Sequence, residues 1–263
     1  MGHHNRHFAG DPHALSGAWS PPSSTANFCE EDYAVTRYLA EFANTLTNLA
    51  YVYFALRYMY GPGSRPFAPK SDSMSLSLLV LGISSFLFHA SLRQTLQFAD
   101  ELAMLGLAWS LLQGTLTARQ SPGNARFINI SLAIIFPLFS AFYVWAGKII
   151  YHATAFAIIM VLITLRGHYL FHWIKPEFPE AKGLKWRAQG LKALYMLLAG
   201  YFLWNIDLEY CAELRKLREW AGFPWALLFE LHGWWHILTA ISASQFMDVV
   251  REMQEELSSE KEE

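Results

Sequence analysis

The sequence predicts an all-α fold, namely an integral membrane bundle of seven transmembrane helices. Hydrophobic residues make up 53% of the 263 residues and charged residues only 16%, whereas soluble domains carry roughly 25% charged residues. Seven apolar stretches follow one another along the chain, most of them about 17 to 23 residues long, and a helix needs this length to cross the hydrocarbon core of a bilayer. Composition and segment length therefore indicate the same fold class.

The first predicted span is the least hydrophobic of the seven, because it contains Glu41, Asn44 and Asn48. These residues lie at i, i+3 and i+7, so they share one helix face, which we expect to point into the bundle. The polar segments 1–31, 61–73 and 175–189 are predicted to be a tail and two connectors. In chain order the predicted spans are residues 38–60, 75–92, 101–117, 127–147, 149–171, 191–208 and 226–249.

The distribution of Lys and Arg predicts the orientation of the chain. The net charge of −2 carries little information, but seven spans place the two termini on opposite sides of the membrane. Lys and Arg are more numerous after spans one, three, five and seven, so the positive-inside rule places the C-terminus in the cytosol. We therefore expect a lumenal tail (residues 1–34), a seven-helix domain (35–250) and a solvated acidic cytosolic tail (251–263). No removable signal peptide is expected.

The two cysteines, Cys29 and Cys211, lie just before the first span and just after the sixth. Both are lumenal in this topology, and a disulfide needs an oxidising compartment. A Cys29–Cys211 bridge is the favoured interpretation, with two free thiols as the alternative. Lumenal cysteines and an uncleaved first span fit the membrane of the endoplasmic reticulum or the Golgi.

Three histidines carry the strongest functional signal. His232 and His236 are one turn apart on one helix face of the last span, and His89 lies near the end of the second span. The topology places all three in the lumenal half of the bundle. Three imidazoles form the shell of a catalytic zinc site, whose fourth position is open to water. The sequence therefore predicts a zinc hydrolase working within the membrane.

Two more polar residues are predicted at the same depth. Asp100 lies at the start of the third span, and Ser85 lies one turn before His89. A carboxylate near the bilayer centre costs about 2.5 to 3.5 kcal/mol unless it is paired or hydrated, so a functional role is the default hypothesis. We expect Asp100 to act as general base and acid, and Ser85 to help zinc stabilise an oxyanion. Among the other histidines, His152, His168 and His172 are interpreted as structural, and His3, His4 and His7 as part of an unordered tail.

Four motifs, in order and in spacing between about Trp19 and Met247, resemble those of the alkaline ceramidases. They are NFCEEDY at residues 27–33 with AEF at 40–42, residues 85–89 followed by DEL at 100–102, FLWNID at 202–207, and HGWWH at 232–236. The resemblance implies a seven-helix hydrolase in which His89, His232 and His236 hold zinc and Ser85 and Asp100 complete the site. It also implies the reaction, which is hydrolysis of the ceramide amide bond to a sphingoid base and a free fatty acid.

The same resemblance implies a calcium site beside the N-terminal segment. Carboxylates, an amide and a main-chain carbonyl are the oxygen ligands that calcium prefers. Ceramidases often have Asp where this chain has Asn27, and Asn where it has Asp32. Without the resemblance, residues 30–32 would be interpreted as a solvated acidic turn. The implied calcium ligands are Asn27, the backbone of Phe28, Glu30, Asp32 and Glu41.

The main alternative function is a seven-helix lipid or hormone receptor with a structural zinc. The acidic N-terminal segment with Glu41 matches the ceramidases rather than the receptor-like relatives. A transporter is disfavoured, because the sequence lacks the discontinuous or repeated spans that transporters use. The expected partner is a ceramide-type lipid in the membrane, and nothing in the sequence indicates a nucleic acid or an obligate protein partner.

Overall fold

The regular structure of this chain is helical. The computed structural model describes residues 11–65 and 67–260, which contain no β-strand beyond one isolated bridge, and the all-α class is confirmed. The predicted tail histidines His3, His4 and His7 lie outside the described residues. In chain order the helices are α1 (Phe42–Thr47), α2 (Leu49–Met59), α3 (Ser73–Ser91), α4 (Gln94–Thr117), α5 (Pro122–Ala146), α6 (Ile149–His172), α7 (Glu180–Glu209), α8 (Cys211–Ala221), a 3-10 helix (Trp225–Phe229) and α9 (Leu231–Ser259).

The first predicted span consists of two helices instead of one. It begins only at Phe42, because residues 40 and 41 run beside the end of α3 and donate their backbone N–H groups to the carbonyls of Ala90 and His89. The break between α1 and α2 falls at Asn48, whose side chain donates to the Asn44 carbonyl. Glu41, Asn44 and Asn48 are each 0% exposed, so the predicted inward polar face is confirmed.

The helices α3 and α4 both begin before their predicted starts. Asp72 caps α3 by accepting from the Ser75 backbone, while the Ser75 hydroxyl accepts from the Asp72 backbone. The next helix, α4, starts at Gln94, and Asp100 therefore lies inside a helix instead of at its first turn. Its side chain is consequently fixed by helix packing.

The sixth and seventh predicted spans are parts of longer helices. α7 includes much of the predicted connector 175–189, and α9 continues past residue 249 to Ser259. Ion pairs between the two helices account for both extensions: Lys185 contacts Glu252 at 2.7 Å, and Lys182 contacts Glu256. In its described part, the acidic segment after residue 250 is helical, with Glu252 and Glu256 paired to lysines of α7 and Glu255 exposed.

The predicted loop between spans six and seven contains α8 and the 3-10 helix. α8 escaped the prediction because it is short and amphipathic, and a search for long apolar segments does not register it. Its first residue, Cys211, is bonded to Cys29, so the predicted disulfide is confirmed. The bridge fastens the N-terminal segment to this end of the bundle.

Three of the described helices, α3, α5 and α6, are long and apolar enough to cross a membrane. α5 and α6 lie on the perimeter, since only 11% and 17% of their apolar windows are buried, against 56% for α3. α4 packs on α3, α5 and α6, while α9 packs on α7 and α2. Polar residues lower the hydropathy of α4, α7 and α9, and among them His232 and His236 of α9 belong to the candidate site.

Candidate metal centre

The three predicted zinc ligands come together at one end of the bundle. α3 supplies His89 near its C-terminus, and α9 supplies His232 and His236 in its first two turns. Their ligand atoms all lie within 4.8 Å of one another, and the three side chains are buried. Among the described residues this is the one group of His, Cys, Asp and Glu side chains arranged to hold a metal ion.

Each imidazole has a neighbour that fixes its orientation. His89 Nδ1 lies 2.5 Å from Glu41 Oε2, and His236 Nδ1 lies 3.0 Å from Thr47 Oγ1. The ring of His232 stacks on Phe28 with 3.8 Å between ring centroids.

These contacts fit a metal site. Metal-binding histidines generally use one ring nitrogen for the ion and the other for an orienting hydrogen bond, and the contacts of Glu41 and Thr47 leave Nε2 of His89 and of His236 for that purpose. His232 Nδ1 is buried and has no hydrogen-bond partner among the described residues. A shell of three nitrogens suits a transition metal of the zinc type.

The predicted catalytic pair lies on the neighbouring helices α3 and α4. Ser85 and Asp100 are both buried, and the Ser85 side chain is close enough to interact with the Asp100 carboxylate. Asp100 Oδ1 has no partner among the described residues. Tyr51 joins this pair to the histidines, because it lies near Asp100 and its ring is 6.2 Å from that of His236. Ser85 and Asp100 thus form one pair, linked to the histidines through Tyr51.

A buried network around Glu101, the neighbour of Asp100, was missed by the sequence prediction. Glu101 accepts from Gln97 at 3.0 Å and from the Tyr143 hydroxyl, and its carbonyl contacts His152 at 2.9 Å. Gln97 in turn accepts from the backbone of Ala26. His152 therefore has the structural role that was predicted for it. The network fixes α4 against α5, α6 and the N-terminal segment.

The predicted calcium residues lie beside the histidines, but part of their hydrogen-bonding capacity is already used. Glu30 accepts from the backbone N–H groups of Ala43 (2.6 Å) and Asn44 (2.8 Å) and thereby caps α1. Asn27 Oδ1 accepts from the Phe28 backbone. Asp32 Oδ1, by contrast, is buried without a partner among the described residues.

Burial and mutual repulsion raise the pKa of the carboxyl groups in this segment. Desolvation, followed by the charge of Glu41, raises the pKa of Glu30 to about 8 and that of Asp32 to about 7. Buried carboxylates that repel one another are stabilised by a cation among them.

Glu41 belongs to both predicted sites. One of its carboxylate oxygens contacts His89, and the other accepts from the Phe28 backbone N–H at 3.2 Å. Phe28 in turn stacks on His232. The acidic segment is therefore in direct contact with two of the three histidines.

Basic residues of α8 tie the N-terminal segment to the start of α9, and the sequence prediction missed them. Arg218 pairs with Glu230 and donates to the Cys29 carbonyl at 3.0 Å. Arg215 donates to the same carbonyl and pairs with Asp11. Their only sequence signal is their closeness to Cys211.

A cavity of about 390 Å³ leads away from the histidines between α4, α6, α7 and α9. At the metal end it is lined by Tyr51, Trp235 and Thr239. The Tyr51 hydroxyl lies 2.5 Å from Thr239 Oγ1, and most of the wall beyond is apolar. The arrangement can hold a long apolar chain with a reacting group at the metal centre.

Comparison with known proteins gives a consistent answer. The family model described as Ceramidase matches residues 20–263. The chain is 29% identical over 231 residues to alkaline ceramidase 3 of Mus musculus, which covers 86% of this chain and 82% of that protein. It is 28% identical over 242 residues to alkaline ceramidase YPC1 of Saccharomyces cerevisiae, covering 87% and 76%. An alkaline ceramidase of Arabidopsis thaliana is 26% identical over 237 residues, covering 87% and 83%.

Proposed function

Because this chain belongs to the ceramidase family, we propose that it hydrolyses the amide bond of ceramides to a sphingoid base and a free fatty acid. The observation that carries the proposal is the buried group of three histidines with Asp100 and Ser85 beside it. A receptor with a structural zinc would need the histidines but not an adjacent carboxylate with a free buried oxygen. The curated relatives reported above are also named as ceramidases and not as receptors.

We propose zinc as the metal, held by His89, His232 and His236. Glu41 and Thr47 keep two of the rings in the orientation that ligation needs. A bound zinc ion would supply Lewis acidity, which lowers the pKa of water to about 7.

The protein groups then move the protons of the reaction. Asp100, through its unpartnered Oδ1, accepts a proton from the attacking water and delivers it to the nitrogen of the breaking C–N bond. The Ser85 hydroxyl donates a hydrogen bond to the oxygen of the former amide carbonyl as negative charge develops there. The products are the carboxylic acid and the free amine.

The cavity supports a lipid substrate. Its largely apolar wall begins beside the histidines at Tyr51, Trp235 and Thr239, so a chain lying in it places its polar end at the reacting groups.

We propose that seven segments span the membrane, with α1 and α2 together forming the first span and α3 to α7 and α9 the others. Supporting this, α3, α5 and α6 are long and apolar enough to span, and α4, α7 and α9 are comparable in length or longer. In this topology residues 1–34 are lumenal, residues 35–250 form the catalytic domain and residues 251–263 are cytosolic. The disulfide supports an oxidising lumen, such as that of the endoplasmic reticulum or the Golgi.

We also propose a calcium ion held by Asn27, the Phe28 carbonyl, Glu30, Asp32 and Glu41. The buried, unpartnered Asp32 Oδ1 supports it, as does the crowding of acidic groups around Glu41. Glu41 would transmit occupancy of this site to His89.

The function is tested by measuring fatty acid release from defined ceramides, dihydroceramides and phytoceramides by the purified protein. We expect release from at least one class, loss of release after zinc chelation, and recovery when zinc is restored. A separate calcium chelation tests the second ion. If the zinc-loaded protein binds ceramides but releases no fatty acid from any of them, the receptor function replaces the proposed one.

A further inference from the structure

The end of the cavity farthest from the histidines is polar, unlike its middle. Arg187 of α7 and His168 and His172 of α6 line it. At the other end, Gly200 of α7 lies against Trp235 of α9. Arg187 lies 13 residues before Gly200 in the same helix, which is about 20 Å along the axis at 1.5 Å per residue. The cavity is thus a long apolar channel with polar groups at both ends.

The charge of Arg187 is not balanced by an acidic side chain. Arg187 is half-buried, its Nε donates to the Gly183 carbonyl of its own helix, and it forms no ion pair within residues 11–65 and 67–260. The acidic residues that α9 presents to this part of α7 are engaged elsewhere: Glu252 binds Lys185 and Trp186, and Glu256 binds Lys182. A guanidinium beside an apolar channel is therefore free for an anionic ligand.

His168 and His172 limit the kind of anion that fits beside Arg187. Their rings lie 4.2 Å apart, and His172 Nδ1 contacts the His168 carbonyl at 2.9 Å. Both are exposed at the cavity end. Together with the planar Arg187 fork, they offer hydrogen-bond donors suited to a small planar anion such as a carboxylate.

We propose that this end of the cavity binds the carboxylate of a long-chain fatty acid, with its chain directed along the channel toward the metal centre. A ligand that fits this cavity needs one anionic head to bind Arg187 and one long apolar tail to lie along the apolar wall. A fatty acid has both. The identity of the acid as a reaction product rests on the proposed function, but the binding itself does not require hydrolysis.

Occupancy of this site has a consequence for turnover. A fatty acid bound with its head at Arg187 fills the space that the chain of a ceramide needs, so it competes with substrate. Its orientation is opposite to that of an acid just formed at the histidines. The site therefore senses free acid in the surrounding membrane and lowers hydrolysis as that acid accumulates.

The orientation is tested on the metal-loaded wild-type protein with two photoreactive palmitate analogues, one carrying its diazirine beside the carboxylate and one near the methyl end. We expect the carboxyl-end probe to label residues 168–172 or 183–190, and the methyl-end probe to label the region of Tyr51, Trp235 and Thr239. The reverse pattern, or labelling only on the outer surface of the bundle, overturns the proposal.

The role of the charge is tested by equilibrium binding of palmitate and of hexadecanol, which has the same chain without the carboxylate. We expect Arg187→Gln to weaken palmitate binding by about tenfold or more, since hydrogen bonds to charged groups are the stronger class, and to leave hexadecanol binding unchanged. Arg187→Lys should retain most of the affinity. Lys192→Gln, an exposed charge on the same helix outside the cavity lining, is the matched control.

Unchanged palmitate binding in Arg187→Gln overturns the proposal. If that variant does not fold, the labelling of the wild-type protein and the affinity of Arg187→Lys decide. Failure of the proposed function looks different: the wild type then hydrolyses no ceramide, while palmitate labelling and its dependence on Arg187 persist. A protein that hydrolyses ceramide but shows no carboxyl-end labelling keeps its function and loses this site.

Discussion

The histidine group and the neighbouring acidic segment are adjacent, yet they are prepared for a metal to different degrees. The histidines converge within 4.8 Å, and their orienting contacts leave nitrogen atoms free. In the acidic segment, both carboxylate oxygens of Glu30 accept hydrogen bonds from backbone N–H groups of α1, and Asn27 Oδ1 accepts from the Phe28 N–H. Of the side-chain oxygens in this segment that would bind calcium, only Asp32 Oδ1 is buried without a hydrogen-bond partner among the described residues.

This difference teaches how each site gains its affinity. The histidine site is fixed by two long helices before any ion arrives, which lowers the cost of binding. The acidic segment is irregular chain held by a disulfide and by arginines, so a cation there must compete with existing hydrogen bonds. We therefore expect tight binding of zinc and weaker, more adjustable binding of calcium.

The largest expected effect comes from removing a zinc ligand. We expect His236→Ala to reduce ceramide hydrolysis by at least about 10³-fold and to lower the bound zinc measured by elemental analysis, because an incomplete shell neither holds nor activates the ion. His13→Ala, at an exposed histidine that is not among the proposed ligands, should leave both unchanged. Full turnover in His236→Ala would contradict the assignment.

A smaller effect is expected at the residue that the two sites share. Glu41→Gln keeps the shape of the side chain but removes the charge that holds His89 Nδ1. Loss of such an orienting partner typically costs about 10- to 100-fold in metal affinity or activity, and the response to calcium should fall with it. Glu213→Gln on the exposed side of α8 is the control. Zinc affinity equal to that of the wild type would show that the two sites are independent.

The hydrogen bond between Thr47 and His236 belongs to the histidine site and not to the acidic segment. Thr47→Val removes the hydrogen bond to His236 Nδ1 with little change in volume. One neutral hydrogen bond contributes about 1 kcal/mol, so we expect zinc affinity to fall about fivefold in a competition titration while the calcium response stays unchanged. The control is Thr117→Val, because Thr117 is the last residue of α4, at the end of that helix far from Asp100. An altered calcium response with unchanged zinc affinity would show that Thr47 acts on the acidic segment and not on the histidine site.

The smallest effect is expected on the calcium side. Asn27→Asp adds a carboxylate to a segment that already holds Glu30 and Asp32, and calcium affinity rises with the number of charged ligands. We expect a several-fold lower calcium concentration for half-maximal activity, with zinc content unchanged. Asn124→Asp at an exposed position is the matched control. No shift, or a change in zinc content, would contradict a calcium site at Asn27.

The parts that were predicted correctly depend on short-range periodicity. The spacing of His232 and His236 places them on one helix face, whereas Glu41, predicted to share a helix face with Asn44 and Asn48, is buried although it lies just before α1. The order of the helices along the chain was enough to predict that His89 lies near them.

The parts that were missed depend on contacts between distant segments. Thr47 reaches His236, and Phe28 reaches His232, only because α1 and the N-terminal segment pack against α9. No local pattern encodes that pairing. The lengths of α7 and α9 were likewise underestimated, because the pairs formed by Lys182 and Lys185 resemble solvent-exposed charge until the two helices are placed side by side.

The disulfide has a consequence for biosynthesis. The bridge closes a loop of chain between Cys29 and Cys211, 182 positions apart, and α1 to α7 lie within it. The helix α9, which carries two of the three histidines, lies outside that loop and is synthesised after it. A nascent chain that stops before Leu231 can therefore already be covalently closed, yet it holds only one of the three histidines of the candidate metal centre. The candidate metal centre is therefore complete only once α9 has been synthesised, so we expect a product that ends before Leu231 to bind no metal there.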